Sequence, residues 1–517
     1  MNDRLMAGQH MFAGFAGLEI PEDFAKTVRD AKIGNVVLFA HNVGTSRQLA
    51  SLCEKLQSLV KEATGFPAII AIDQEGGVVS RLGEDCTIVP SAMGIAATGD
   101  PGNAYTAGLI TARELRAMGV NFNLAPVADV NSNPDNPVIG VRSYGEDPVL
   151  AARFATAMMQ GLTDGGVLSC AKHFPGHGDT AVDSHVGLPM VDKSLETLQR
   201  TELVPFQALI DAGVPGVMST HILFPRLESR EVPATMSREI LTGLLKGKMG
   251  FNGLVLSDCM MMGAIRDYYG TVEGVAQAIK AGVDLVFVSH DAELAAQAVQ
   301  RVMDRLQEGT LSRGELQAST EKILRFKAAL LPPDADGLRQ VGSKEHRQQV
   351  ERLYEQSLTV VNLPLGGLPE IGNNPLFIGC LPCIPTQASS PDRLIKGFHE
   401  ALQGRFGGDA VEMTENPDGE EIKRIAAQAP GHSCIVIGTY NAHLRRGQLN
   451  LVDALVAAGI PLIVVALRNP YDLAGLPEGV SGIAAWAYNA ASLNAVMKLL
   501  GGEITADGMM PVRLKGK

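Results

Sequence analysis

Basic runs interleaved with aromatic side chains, the footprint of a nucleic-acid surface, do not occur in this chain. Acids outnumber bases, with 44 Lys+Arg against 56 Asp+Glu and a net charge of −12, so polyanions are poor partners. Long apolar runs are missing too. No segment reaches the roughly 20 apolar residues of a membrane span. The apolar stretch 5–18 is interrupted by Gln9 and His10, follows Asp3 and lacks a small-residue cleavage pattern, so it reads as a first strand instead of a signal peptide. A cytoplasmic protein without membrane contact is expected. Cysteine is sparse, with seven residues scattered through the chain, which fits reduced thiols better than a disulfide framework. Cys380-Leu-Pro-Cys383 has the spacing of a redox pair, but it stands at a strand end with no second pair to complete a zinc site, and buried thiols are the simpler reading. Low-complexity segments are also lacking: 46% hydrophobic residues, 19% charged and 56 glycines describe a globular α/β protein rich in tight turns.

At 517 residues the chain exceeds one ordinary core, and two domains are expected. Short apolar runs ending in polar residues recur at 12–18, 35–39, 68–73, 120–124, 167–172, 216–220, 253–258 and 284–288. The spacing leaves room for one crossover helix each time, and continuous apolar strands imply burial on both faces. Eight such units predict a (β/α)8 TIM-type barrel over residues 1–331. Helical spacing at 104–118, 151–162, 195–212 and 271–281 agrees, with Gly119, Gly213 and Gly282 where C-terminal caps belong, and a helical reading continues over 291–331. Pro332-Pro333 and the residues to 344 read as a linker. Beyond it, a helix at 345–356 and strands at 358–363, 375–381, 434–440, 461–467 and 482–488 predict a smaller αβα sandwich domain over 345–517.

Polar residues then concentrate where barrel enzymes keep their chemistry, at the carboxyl ends of the strands. These are Asp73-Gln-Glu-Gly-Gly77, Asp129 and Asn131, the segment Lys172-His-Phe-Pro-Gly-His-Gly-Asp-Thr180 with Asp183-Ser-His185, His221, Ser257-Asp258 and His290-Asp291. Displacement at an anomeric carbon needs one group to attack or stabilise the cationic centre and another to protonate the departing oxygen. Asp258, ending an otherwise apolar strand, is the candidate nucleophile; a helix-capping carboxylate is the competing reading. Asp183 and His185 alternate along an extended segment, so the carboxylate can fix the imidazole tautomer and raise its basicity, unless the two are simply a solvated loop pair. His173-x-x-x-His177-x-Asp179 also has metal-ligand spacing. Pro175 and Gly176 prevent the helix from which two such histidines chelate, and no metal or cofactor is expected.

Together with Ile139-Gly-Val-Arg-Ser-Tyr-Gly-Glu-Asp147 and Met262, these motifs resemble the bacterial β-N-acetylglucosaminidases of glycoside hydrolase family 3, over about residues 10–330; Leu467-Arg-Asn-Pro-Tyr-Asp472 resembles the second domain of the two-domain members. The resemblance implies a retaining enzyme in which Asp258 forms a covalent glycosyl-enzyme, His185 assisted by Asp183 is the acid/base, and Asp73, Arg81, Arg142, Lys172 and His173 hold the N-acetylglucosamine ring. It implies small carbohydrate substrates released from cell-wall muropeptides or chitin oligomers. The alternatives are a phosphorylase acting on the same glycosides, a β-glucosidase of the family, and, from other classes, a non-catalytic sugar-binding protein or a metal hydrolase. Val78 stands where many relatives carry a basic residue and Tyr144 where Phe is common, which bears on the leaving-group side of the site. No motif specifies an oligomeric state.

Overall fold

The computed structural model describes residues 1–180, 187–334, 336–363, 367–381 and 396–514. Eight parallel strands close a barrel: β1 Met11–Ala13, β2 Asn35–Leu38, β3 Ile69–Ile72, β4 Phe122–Asn123, β5 Leu168–Phe174, β6 Gly216–Ser219, β7 Leu254–Cys259 and β8 Leu285–Val288. Each strand pairs with the next, and β1 closes on β8 through Phe12 opposite Phe287. Alternate residues point inward along each strand. Phe12, Val37, Ile69, Ala71, Phe122, Leu124, Cys170, Met218, Leu256 and Phe287 therefore fill the lumen as a core of their own, with the Phe12 and Phe287 rings stacked at 4.2 Å. Ile323, from the helix Arg313–Ala328, joins that cluster. The barrel interior is thus packed, and the polar strand ends open above an apolar plug.

The expected first strand over 5–18 is a correction. Residues Asp3–Gln9 form a helix, capped where the Asn2 side chain accepts from the Leu5 amide at 2.9 Å, and only Met11–Ala13 is strand. The helix expected over 195–212 is two helices, Leu195–Arg200 and Leu203–Asp211, divided beside the buried Glu202, which accepts from Lys193. Likewise 291–331 divides into Ala292–Gln307 and Arg313–Ala328, with Gly309 in a left-handed turn and Ser312 capping the second helix.

The remaining strands form a six-stranded mixed sheet in the order β11-β10-β12-β13-β14-β9: β9 Thr359–Val361, β10 Leu376–Gly379, β11 Asp409–Glu412, β12 Ile435–Thr439, β13 Leu462–Ala466 and β14 Ser481–Ala484. Only β9, at one edge, runs antiparallel. Helix Lys344–Ser357 leans on the barrel, its buried His346 placing Nδ1 2.8 Å from Glu114. The chain's single tryptophan sits where the two bodies meet. Trp486 is fully buried, its indole donates to the Ser357 carbonyl at 2.6 Å, and its own carbonyl accepts from Ser91 at 3.0 Å.

Candidate active site

At the carboxyl ends of the barrel strands lies a cavity of 160 Å³ whose lining includes Asp73, Glu75, Arg81, Arg142, Lys172, His173 and Asp258. Six of the eight residues expected to carry catalysis or hold the sugar, namely Asp73, Arg81, Arg142, Lys172, His173 and Asp258, thus share one concavity. Asp183 and His185 lie outside the described residues.

Two strand irregularities bring neighbouring side chains to the same wall. In a regular strand, consecutive residues face opposite ways, but β5 slips register against β6 between Lys172 and Phe174, and β7 slips against β8 between Leu256 and Cys259. Lys172 and His173 both line the cavity as a result, and so do Asp258 and Cys259. The strand carries two residues further into the polar segment than the expected 167–172, since β5 continues through His173 and Phe174. At Asp258, Oδ1 accepts from the following amide, Cys259 N, at 2.7 Å.

Glu75, which sequence reasoning did not select, is the centre of the charge network. Its carboxylate takes Arg142 Nε and Nη2 in a two-pronged pair, both at 2.8 Å, and Lys172 Nζ lies 2.6 Å from Glu75 Oε1 and 2.6 Å from Asp73 Oδ1. All but Asp73 are nearly sealed from solvent, the Glu75, Arg142 and Lys172 side chains being 7%, 5% and 2% exposed. Burial opposes charge on Glu75, but Arg142 and Lys172 outweigh it and hold the carboxyl far below the usual glutamate range. For Arg142 and Lys172 burial likewise works against the charge, and the neighbouring carboxylates, led by Glu75 and Asp73 respectively, raise both above their ordinary values. The cavity wall is thereby a fixed array of cations and carboxylates, suited to the hydroxyls of a polyol.

Asp129 performs a parallel task. Buried in the segment that follows β4, it accepts from the His173 amide at 3.2 Å, from His173 Nδ1 at 2.7 Å and from the His177 amide at 2.7 Å. Burial opposes its charge, yet His173 and His177 keep the carboxyl below the ordinary range. His177 is pushed down to about 4 by burial first and by His173 second, so it is neutral at pH 7, with Nδ1 2.8 Å from the Thr180 hydroxyl. Each imidazole is thus oriented through its Nδ1, His173 by Asp129 and His177 by Thr180.

Other expected residues have different work. His221 bridges the Thr235 hydroxyl at 2.9 Å and the Cys259 carbonyl at 3.0 Å, and Asp291 caps Ala292–Gln307. Tyr144 is buried against Phe154 with centroids 6.0 Å apart, and burial raises its phenol. Neither Tyr144 nor the buried Val78 is among the cavity's lining residues, so these two departures sit in the core beside the site. Burial pushes the Cys380 thiol up to about 12, away from redox reactivity, while Cys383 lies outside the described residues.

Residues 8–326 match the family model described as glycosyl hydrolase family 3 N terminal domain. The chain belongs to glycoside hydrolase family 3. It is similar to a "Beta-hexosaminidase A" of Pseudoalteromonas piscicida, 30% identical across 95% of this chain and 91% of that protein. A "Beta-hexosaminidase" of Thiobacillus denitrificans is 36% identical over 56% of this chain and 80% of its own length. Among solved structures, a family 3 beta-N-acetylglucosaminidase from Paenibacillus sp. superposes over the whole of both chains, with a TM-score of 0.91 and 35% identity. The protein is a glycoside hydrolase whose family 3 barrel is followed by a second α/β domain.

Proposed function

We propose that this family 3 enzyme is a retaining exo-β-N-acetylglucosaminidase. The observation that carries the reading is Asp258 on the wall of a small cavity whose other walls present Asp73, Arg81, Arg142, Lys172 and His173. One sugar ring suits such a space better than an extended chain, and the fixed donors and acceptors suit its hydroxyls. Asp258 attacks the anomeric carbon and forms the glycosyl-enzyme; water then releases the sugar with retention. His185, supported by Asp183, gives its proton to the departing oxygen and takes one from the incoming water. The names of the beta-hexosaminidase and beta-N-acetylglucosaminidase relatives support N-acetylglucosamine as the terminal sugar. Cell-wall muropeptides and chitin oligomers are the substrates this implies, and the cytoplasm the compartment; among the described residues, no helix is long and apolar enough to cross a membrane.

The decisive test is Asp258→Ala. Loss of the nucleophile removes the covalent step while a cavity-facing strand tip leaves folding nearly untouched, so activity on an aryl β-N-acetylglucosaminide falls by several orders of magnitude. Intact-mass and peptide mapping with a fluorosugar inactivator places the label on the peptide holding Asp258. A variant keeping more than about a tenth of wild-type activity overturns the assignment.

A further inference from the structure

We infer that Asn469 and Tyr471, from the second domain, are positioning residues for Arg142, so that the sugar-binding guanidinium of the barrel is held by the neighbouring domain. The inference rests on the reading of Arg142 as a substrate-binding residue.

Arg142 rides on the short 3-10 turn Gly140–Arg142. Most backbone donors around this turn are satisfied from within the barrel. Asn136 Oδ1 accepts from the Val138 and Ile139 amides, both at 2.9 Å, and Asn131 Oδ1 accepts from Gly140 N at 3.2 Å. The amides of Arg142 and Ser143 reach the Ile139 and Gly140 carbonyls at 2.9 and 3.1 Å. Val141 is the exception: its amide donates to Asn469 Oδ1 at 3.0 Å, across the domain boundary.

The approach is close enough to dictate the residue beneath it. Gly140 has φ +46°, and a Cβ there would sit 2.4 Å from Asn469 Oδ1, so the carboxamide packs directly on the glycine backbone. Tyr471 secures the other side of the turn, its hydroxyl accepting from Asn131 Nδ2 at 2.6 Å while Asn131 holds Gly140. These second-domain residues are themselves anchored. Asn469 Nδ2 donates to Asn441 Oδ1 at 2.8 Å, and Asp472, fully buried in the same segment, takes the His443 amide at 3.0 Å and His443 Nδ1 at 2.7 Å. A rigid strap therefore runs from the sheet of the second domain to the turn bearing Arg142, and from Arg142 through Glu75 to Lys172 in the cavity.

A buried amide deprived of its acceptor must shift to find another, and displacement of a binding group by about 1 Å costs up to about 10² in rate. The test is a double-mutant cycle on the full chain, with an aryl β-N-acetylglucosaminide as substrate. Asn469→Ala is expected to lower kcat/KM about tenfold, mainly through KM, and Tyr471→Phe by a smaller factor. In an Arg142→Lys background, already deprived of the two-pronged pair, the same Asn469→Ala change costs less than about twofold. If the losses multiply in full, or if Asn469→Ala has wild-type kinetics while Arg142→Lys is impaired, the coupling is refuted. Wild-type kinetics for Arg142→Lys refutes instead the substrate-binding role on which it rests. Should Asn469→Ala fail to fold, Tyr471→Phe, which removes one oxygen, is judged by the same two-background criterion.

Discussion

Glu75→Gln separates charge from shape at the centre of the site, because glutamine fills the same space without the negative charge. Lys172 would keep Asp73 at 2.6 Å, but Arg142 would retain only the Val138 carbonyl, at 3.2 Å from Nη1, and half of its former pair. Removing one partner of a buried ion pair costs about 3–5 kcal/mol, since the surviving charge stays desolvated. At roughly 2 °C per kcal/mol for a domain of this size, the melting temperature at pH 7 falls by about 6–10 °C. The pH dependence gives a second handle. The folded Glu75 carboxyl lies far below its ordinary value, so its contribution is complete above the unfolded glutamate value of about 4.3 and is lost as pH falls through the folded one. Each unit of that window removes about 1.4 kcal/mol, so by pH 3 the gap between wild type and variant shrinks by roughly 2 kcal/mol. Differential scanning calorimetry at pH 7 and pH 3 measures both. A shift under about 2 °C at pH 7, or a gap that stays constant into acid, refutes the account of Glu75 as a buried charge held by two cations.

His185→Ala should slow a disaccharide or muropeptide at least about 10² more than an activated aryl glycoside, because an aryl leaving group of low pKa departs without a proton. Equal slowing of both substrates in initial-rate assays would move the proton donor outside this loop. Dialysis against a strong chelator should leave activity unchanged, since neither a carboxylate nucleophile nor an imidazole acid needs a cation; activity lost and then restored by zinc would assign a metal to His173 and His177.

The barrel was legible because its strands are continuous apolar runs that must be buried on both faces, and such runs stand out against any crossover helix. The failures have local causes. A stretch at 3–13 that mixes Asp3, Arg4, Gln9 and His10 with apolar residues carries no clean period, and it does not announce that Asn2 will cap a helix there. Asp409–Glu412 escaped as a strand because it is an edge with exposed acids at both ends, paired to β10 on one side. The break coincides with the buried pairing of Glu202 with Lys193, a partner outside the helix that helical periodicity does not encode.

The site divides along the same line. Asp258, Lys172, His173 and Asp73 were visible because each is a polar residue ending an apolar strand, a contrast contained within a few positions. Glu75 was printed in the same motif as Asp73 and still passed over. A glutamate two residues beyond a strand tip reads alike whether it faces water or is sealed between two cations, and its decisive partner, Arg142, is 67 residues away. Asn469 is further still, 328 positions from the amide it accepts. What marks both in the structure is burial: a charge that keeps almost no solvent must be matched by an opposite charge, and a buried amide by an acceptor. A glycine at Gly140 is the one local trace of that packing, because only the absence of a Cβ lets a carboxamide from another domain rest on the turn. The residues proposed to perform the chemistry were therefore visible as local contrasts, whereas the residues that hold Arg142 and Lys172 in place became visible only when the fold had brought distant charges and amides together.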